Sequence, residues 1–428
     1  MNKKLKTWHF GTKNDELVEL VLCGKKTATT SIYDGSEDEI DSESILIYEN
    51  EKKACITKTR KNVVCKFNEV EWDIAKLEGE NNNLDEWKEG HYNFFKSIDD
   101  NFTEDTLVLV EIFEVTKNLK QERLELATLI AKNNKEIIGE IENISEINAG
   151  YNNSIFDVNN KYIIKVCGNS DKEDLFDIEY NFYNENKESS IIPKLYKFDK
   201  SKSIVPYVYE IIEKIDGKSV YYYWYKWNEN ERELFIKNLV ELLSEIHIFK
   251  ETKDNWKNDI KTKIIENYNK CLELFNDEEK MIIEKAFDLY DVILSDNHYS
   301  LIHNDLHFDN ILLDKNNKIR IIDFNDSIIA PFDFDLRLLF MCQDRPWKWA
   351  NSEMDPYQKP EDYKNIRNYV KKHYKNLSNV KNLDERMYIY EILDDIKHLP
   401  KYKEKEQIEV IVNNSRKILD TNLDTNDC

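Results

Sequence analysis

Residues 301–313 read LIHNDLHFDNILL. Two histidines, two aspartates and two asparagines stand inside a frame of leucine and isoleucine. A buried polar group without a partner costs about 1 to 3 kcal/mol, so these side chains must satisfy one another or be completed by something that binds them. Downstream, ILLD, KNNK and IRIIDF have the pattern of strand, turn and strand. Such a hairpin brings Asn310, just before its first strand, and Asp323, just after its second, to one open end. Asp305 lies in the loop that feeds the same end. Carboxylate and amide oxygens gathered in this way suit magnesium, which takes one or two carboxylates and completes its shell with water and phosphate oxygens.

The chain is long enough for two or three cores at about 100 to 200 residues per domain. A formal charge of −22 argues against a general nucleic-acid coat or an anionic membrane surface and is compatible with a cationic small molecule as partner. The same acidity also serves plain solubility. The 7 cysteines are scattered, odd in number and never spaced as CxxC, which reads as reduced thiols in a cytoplasmic protein without a zinc site. MNKKLKTWHF lacks the apolar run of a signal peptide, and no stretch has the length and apolarity of a membrane span.

Only 9 glycines and 7 prolines punctuate the sequence, so long helices are expected. Residues 1–117 begin with a helix, NDELVELVLCG, with Asn14 as its N-cap and Gly24 as its terminator. The β-rich runs SILIYE, KACITKTR, NVVCKF and TLVLVEIFEV follow, as in a small mixed barrel. A polar helix, LKQERLELATLIAKNNKE, leads to the strands ISEINAG, SIFDVNN, KYIIKVCG and YVYEIIEKIDG. From about residue 218 the pattern is helical, broken by the one hairpin. The fold class is therefore α+β: a small barrel-like unit, a second strand-bearing region and a largely helical remainder.

HNDLHFDN followed by DFN resembles a kinase catalytic loop, HxDLxxxN followed by DF. That resemblance implies that Asp305 is the base and that Asn310 and Asp323 hold the metal. It also implies parts upstream: Lys165 at the end of KYIIK, with Glu179 in the helix DLFDIEYNFYNEN as its ion-pair partner. NAGYNNSIF stands where a phosphate-covering loop belongs, so Gly150, Asn153 and Ser154 join the nucleotide site. EIIEKIDG resembles the connection between two kinase lobes, with the backbone of Glu213 and Ile215 against an adenine edge.

LLSEIH at 242–247 and IIDFNDSIIAPFDFDLRLLF extend the likeness to the aminoglycoside phosphotransferase family, whose relatives include choline and other small-molecule kinases. By that resemblance Asp335 braces the catalytic loop, and His303 supports the loop's own backbone. Asn304 stands where protein kinases carry Arg, and little chain separates Asp323 from Pro331, which leaves no activation loop. The family's usual glycine is replaced by Pro331, which changes a turn and not the chemistry. The resemblance implies a magnesium- and ATP-dependent kinase of a small hydroxylated molecule, with GTP left open and antibiotic resistance as one cellular role. Asp344, Glu353, Asp355, Asp394 and Asp395 can face a cationic acceptor or be ordinary solvated acids. YYYWYKW at 221–227 reads as packing before it reads as an aromatic cage.

Residues 8–115 resemble an ASCH domain, a PUA-like barrel associated with RNA or nucleoside binding. WHFGTKNDELVELVLCGKKTATTS, FNEVEWDIAKLEGE and LDEWKEGHYNFF carry the likeness. Some family members hydrolyse acetylated cytidine with a Lys, a Thr and a Glu, which map to Lys26, Thr29 and Glu78. Trp87 and His91, one helical turn apart, line the same mouth or simply pack. The domains expected are 1–117, the ASCH domain, and 118–428, the kinase domain, with lobes of about 118–215 and 216–428.

Overall fold

The computed structural model describes residues 5–147, 153–248, 250, 255–295, 298–350 and 353–421. Two compact units emerge: Met1–Asn169 with Asp199–Tyr209, and Ser170–Phe198 with Glu210–Cys428.

In the first unit, β1 (Lys6–Trp8), β2 (Ala28–Ile32), β3 (Glu43–Ile47), β4 (Lys53–Lys66) and β5 (Leu107–Asn118) form one sheet, ordered β1-β3-β4-β5-β2. β1 and β3 are parallel, and the other pairs are antiparallel. KACITKTR and NVVCKF, expected as two strands, are the single strand β4. A register shift between Thr59 and Lys61 absorbs the charged RKN stretch as a bulge, so no turn is needed there. Helix Asn14–Leu22 buries Leu17, Val18 and Val21 against Leu46, Ala54 and Phe113. Asn14 is not its N-cap: it is the first helical residue, and its buried amide accepts from Phe10 N at 2.8 Å and donates to Ile47 O at 3.0 Å. The tertiary contact outcompetes the cap. Gly24 does end the helix, at φ 76°. Helix Leu84–Ile98 closes a second apolar cluster with Trp87 and Phe95 on Phe67 and Phe102.

β5 passes directly into the helix Leu119–Asn133, where the Asn118 side chain caps Gln121 N at 2.9 Å. This linking helix packs on β4 and on the next strands, β6 (Ile144–Ile147) and β7 (Asn153–Val158). β8 (Tyr162–Cys167) pairs antiparallel with β7 across a turn in which Asn159 and Asn160 both have positive φ.

The chain continues through helix Glu173–Glu185, β9 (Leu195–Asp199), β10 (Tyr209–Glu213) and β11 (Gly217–Ser219). The helix Glu229–Ile246 opens with an Asn228–Glu231 capping box. β12 (Tyr299–Ile302), β13 (Ile311–Asp314), β14 (Ile319–Ile321) and β15 (Ile328–Pro331) follow. The expected hairpin is β13–β14, and β11 adds a third strand to it. A separate antiparallel pair, β12 with β15, was not foreseen. Its strands are short and far apart in the chain, so no local turn announces them. Helices Arg337–Asp344, Ile366–His373, Leu383–Tyr402 and Lys405–Asp420 complete this part. The YYYWYKW run does pack: Trp224 is fully buried, its ring 4.8 Å from Phe308. Among the described residues no helix is long and apolar enough to cross a membrane.

Candidate active site

Two strand ladders hold two loops side by side. Ile302 faces Ile328 in β12–β15, and Ile311 faces Ile321 in β13–β14. The segments 303–310 and 322–327 therefore both cross from one ladder to the other. They are laced together: Ile322 N donates to Asn310 O at 3.0 Å, His303 Nε2 donates to Ile322 O at 2.9 Å, and Asn304 Nδ2 donates to Asp326 O at 2.8 Å. Since His303 Nε2 faces a carbonyl, its Nδ1 is free to accept from Asp305 N at 3.1 Å. His303 thus stitches the loop's own backbone.

Beneath the loop lies Asp335, fully buried. Its carboxylate accepts from His303 N at 3.0 Å, Asn304 N at 2.7 Å and His247 Nε2 at 3.0 Å. His247 Nδ1 meets the Tyr374 hydroxyl at 2.7 Å. Burial pushes the Asp335 carboxyl up, but the bonds and charge of His247, with help from His303, hold it below the usual range. Arg337, which the sequence reading did not single out, donates to Asn304 O at 2.7 Å and Phe334 O at 3.1 Å. Asp333 sits in the same buried floor, gripped by Arg386 at 2.7 and 3.0 Å and by the Tyr390 hydroxyl at 2.8 Å.

On this floor the reactive groups converge. Asn310 Nδ2 donates to Asp305 O at 2.9 Å and Asp305 Oδ2 at 3.1 Å, which turns the amide oxygen away from Asp305. His307, unassigned from sequence, accepts from Asp309 N at its Nδ1, so its protonated Nε2 faces Asp305 Oδ2 at 3.5 Å. The His307 ring stacks on Trp349. Asp323, at φ 67°, accepts from Asn325 Nδ2 at 2.7 Å. Burial, and then the negative charges of Asp305 and Asp323, raise the Asp326 carboxyl. Among the described residues no three His, Cys, Asp or Glu side chains form a ready-made metal cage. The Asp323 carboxylate and the Asn310 amide oxygen, completed by water and substrate phosphates, nevertheless fit the donor set magnesium takes.

On the nucleotide side, Lys165 is buried in β8 of the first unit, and Glu179 is buried in helix Glu173–Glu185 of the second, where it accepts from the Tyr183 hydroxyl at 3.1 Å. Gly150 lies outside the described residues. Asn153 opens β7 opposite Cys167, and Ser154 pairs with Val166 while Ile155 pairs with Lys165. Side chains alternate along a strand, so the Ser154 hydroxyl faces away from the Lys165 side. The structure separates those two nucleotide candidates. Glu213 ends β10, and its carboxylate accepts from Arg320 Nη2 at 2.7 Å and Lys194 N at 3.1 Å. The Ile215 carbonyl accepts from Gly217 N at 3.1 Å. Several of the acids considered for a cationic acceptor are already engaged. Asp395 is fully buried in a two-pronged pair with Arg345 at 2.8 Å, Asp344 meets Arg367 at 2.6 Å, and Glu353 accepts from Tyr222 at 3.0 Å.

A second polar centre occupies the N-terminal domain. It lines a cavity of about 340 Å³, walled by Lys26, Thr29, Thr30, Glu78, His91 and Phe94 among others. Lys26 and Glu78 are buried and paired at 2.8 Å, and Glu80 also accepts from Lys26. Glu78 Oε1 accepts from Thr30 at 2.6 Å and Trp87 Nε1 at 3.1 Å, and His91 Nε2 lies 3.4 Å from Oε2. The structure brings together Lys26, Glu78 and Thr29 in one cavity, but the hydroxyl bound to Glu78 is that of Thr30. Gly79 makes this possible: at φ 71° it turns the chain between the two glutamates, and a Cβ there would stand 2.4 Å from Lys25 O. Burial pushes the Glu78 carboxyl up, and the Lys26 charge with the His91 hydrogen bond overrides it, leaving the carboxyl at about 2. A depressed folded-state value contributes stability above the unfolded value of 4.5 that is lost as pH falls toward 2. Acid titration followed by tryptophan fluorescence should show this loss in the wild type, and Glu78→Gln should flatten the dependence across that window.

Two family models match this chain. Residues 6–117 match the ASCH domain model, and residues 143–367 match the model of the phosphotransferase enzyme family. Among solved structures, the GDP complex of wild-type aminoglycoside 2'-phosphotransferase-IIIa is 16% identical with a TM-score of 0.52, covering 70% of this chain and 98% of that one. The ADP-bound aminoglycoside phosphotransferase APH(2'')-Ib is 19% identical with a TM-score of 0.48, over 69% and 97%. An ASCH domain from Lactobacillus crispatus JV V101 is 25% identical with a TM-score of 0.26, over 27% and 80%. The family match spans more than half of the chain: the chain belongs to the phosphotransferase enzyme family, a small-molecule kinase carrying an ASCH domain.

Proposed function

We propose that the protein transfers the γ-phosphoryl group of ATP or GTP to a hydroxyl of a small molecule, an aminoglycoside, amino alcohol or sugar-like compound, with residues 118–428 as the kinase module. One observation supports this reading: segments 303–310 and 322–327, which carry Asp305, Asn310 and Asp323, are laced to each other through Asn310 O, His303 and Asn304. Asp305, whose side chain is 36% exposed, orients the acceptor hydroxyl and takes its proton. Asn310 presents its amide oxygen, and Asp323 its carboxylate, as the ligands for magnesium, which neutralises charge on the phosphates when bound. Lys165, supported by Glu179, pairs with the nucleotide phosphates, while the backbone at Glu213 and Ile215 meets the base. With little covalent chemistry for the protein to perform, positioning and charge stabilisation supply the rate.

A panel of aminoglycosides, amino alcohols, sugars and nucleosides, each offered with ATP or GTP, tests the proposal by detection of phosphorylated product. Transfer to at least one hydroxylated acceptor, dependent on magnesium, is the expected result. Nucleotide hydrolysis that no acceptor stimulates would overturn it.

The buried Lys26–Glu78 pair favours a second reading for residues 1–117, a site for a nucleoside or RNA. Incubating the full chain with acetylated cytidine distinguishes amide hydrolysis, seen as acetate release, from binding alone. Lys26→Met should remove either activity while leaving phosphoryl transfer intact; an undiminished N-terminal activity in this variant rejects the site.

A further inference from the structure

His307 caps the short turn Phe308–Asn310, where its Nδ1 accepts from Asp309 N at 3.2 Å. A ring nitrogen that accepts carries no proton, so the neutral imidazole holds its hydrogen on Nε2. That nitrogen lies 3.5 Å from Asp305 Oδ2. Capping accounts for the first contact and leaves the second without a purpose.

The two oxygens of the Asp305 carboxylate are not equivalent. Asn310 Nδ2 donates to Oδ2 at 3.1 Å and stands 3.3 Å from His307 Nε2. Two donors cannot bond each other, so both are directed to Oδ2. Among the described residues Oδ1 has no hydrogen-bond partner. Contacts around a general base are often long in the free protein and tighten once substrate is bound.

The imidazole plane is itself held. Trp349 stacks on it, with ring centroids 5.9 Å apart and planes 15° from parallel. Lys348 Nζ lies 5.1 Å from the Trp349 ring and reaches Asp395 at 3.3 Å and Asp394 at 3.9 Å, both on the helix Leu383–Tyr402. A side chain braced by its cap on one edge and by packing on its face aims its remaining donor with little freedom.

We propose that His307 is a positioning residue for phosphoryl transfer: its Nε2–H, together with Asn310 Nδ2, occupies Asp305 Oδ2 and leaves Oδ1 for the hydroxyl of the acceptor. This rests on the proposed role of Asp305 as the base. In the step itself the acceptor oxygen bonds to the γ-phosphorus, the bond from that phosphorus to the leaving nucleoside diphosphate breaks, and the hydroxyl proton passes to Asp305 Oδ1. His307 neither gains nor loses a proton.

Two substitutions in the full chain separate this role from capping. Asn is a good capping residue and can accept from Asp309 N, but its side chain is too short to present a donor at the place of Nε2. Gln is long enough to place an amide N–H there. With an acceptor identified in the panel, His307→Asn should keep the melting temperature and both KM values near those of the wild type while kcat falls about tenfold, the weight of one hydrogen bond to a charged group. His307→Gln should recover most of that loss. Full kcat in His307→Asn, or no recovery in His307→Gln, overturns the proposal. Nitrogen-15 spectra of the histidine rings read the placement without turnover: the resonances lost in His307→Asn should be those of a neutral ring protonated at Nε2, and protonation at Nδ1 overturns it. Full turnover in Asp305→Ala marks failure of the kinase reading instead, as does a wild type that phosphorylates no acceptor, and the ring spectra then still decide where the His307 proton lies.

Discussion

Asp305→Ala should lower the turnover number by about 10³-fold, within the range of general acid–base contributions, and should leave the melting temperature nearly unchanged. The structural argument for both halves is local. The backbone of Asp305 keeps its two ties in the variant, since its N–H donates to His303 Nδ1 and its carbonyl accepts from Asn310 Nδ2. Only the carboxylate contacts with Asn310 and His307 are lost, at a side chain that is 36% exposed. Substitutions of that kind usually move stability by about 0.5 kcal/mol or less. Asp305→Asn sharpens the test because it keeps the shape and loses the proton acceptor. Steady-state assays of both variants with an acceptor identified in the panel are decisive, and full turnover in either one removes Asp305 from the chemistry.

Arg386→Met should have the largest effect on stability. Asp333 and Arg386 are both essentially excluded from water, at 1% and 0% side-chain exposure. Removing one partner of a buried ion pair leaves the other charge uncompensated, at a cost of about 3 to 5 kcal/mol. Tyr390 still donates to Asp333 at 2.8 Å, which moderates the loss without neutralising the charge. Asp333→Leu combined with Arg386→Met removes both charges and should recover much of the stability, as apolar replacements of buried pairs often do. Denaturant titration of the wild type and both variants checks the order. A single variant as stable as the wild type would falsify the view that this pair anchors the floor.

Much of the kinase site is legible in the sequence because its parts are local. Asn310 and Asp323 flank one hairpin with a four-residue polar turn, and a hairpin forces its ends together whatever the rest of the chain does. His303 and Asp335 follow from the same compact segment. The rest depends on contacts that sequence spacing does not encode. Arg337 reaches the loop and His247 reaches Asp335 beneath it from separate helices, and the β12–β15 ladder joins strands with no turn between them. Asn14 illustrates the converse error: a good N-cap residue by type is drawn instead into a buried contact with Ile47. In the ASCH domain, alignment by motif identifies Lys26 and Glu78, while the choice between adjacent threonines depends on which one alternation turns toward Glu78.

The boundary between the two compact units has a consequence for how such a fusion can be taken apart. Residues Met1–Asn169 cohere, so the ASCH sheet, the linking helix and strands β6 to β8 share one body. The seam of the fold therefore runs inside the sequence matched as phosphotransferase, beyond residue 143, rather than at residue 117 where the ASCH match ends. A gene shortened at the matched edge would strip the packing from the outer side of β7 and leave its apolar residues to water. Modularity in sequence is thus not separability in the folded chain: a chain that begins at residue 143 is expected to be less stable than the full one.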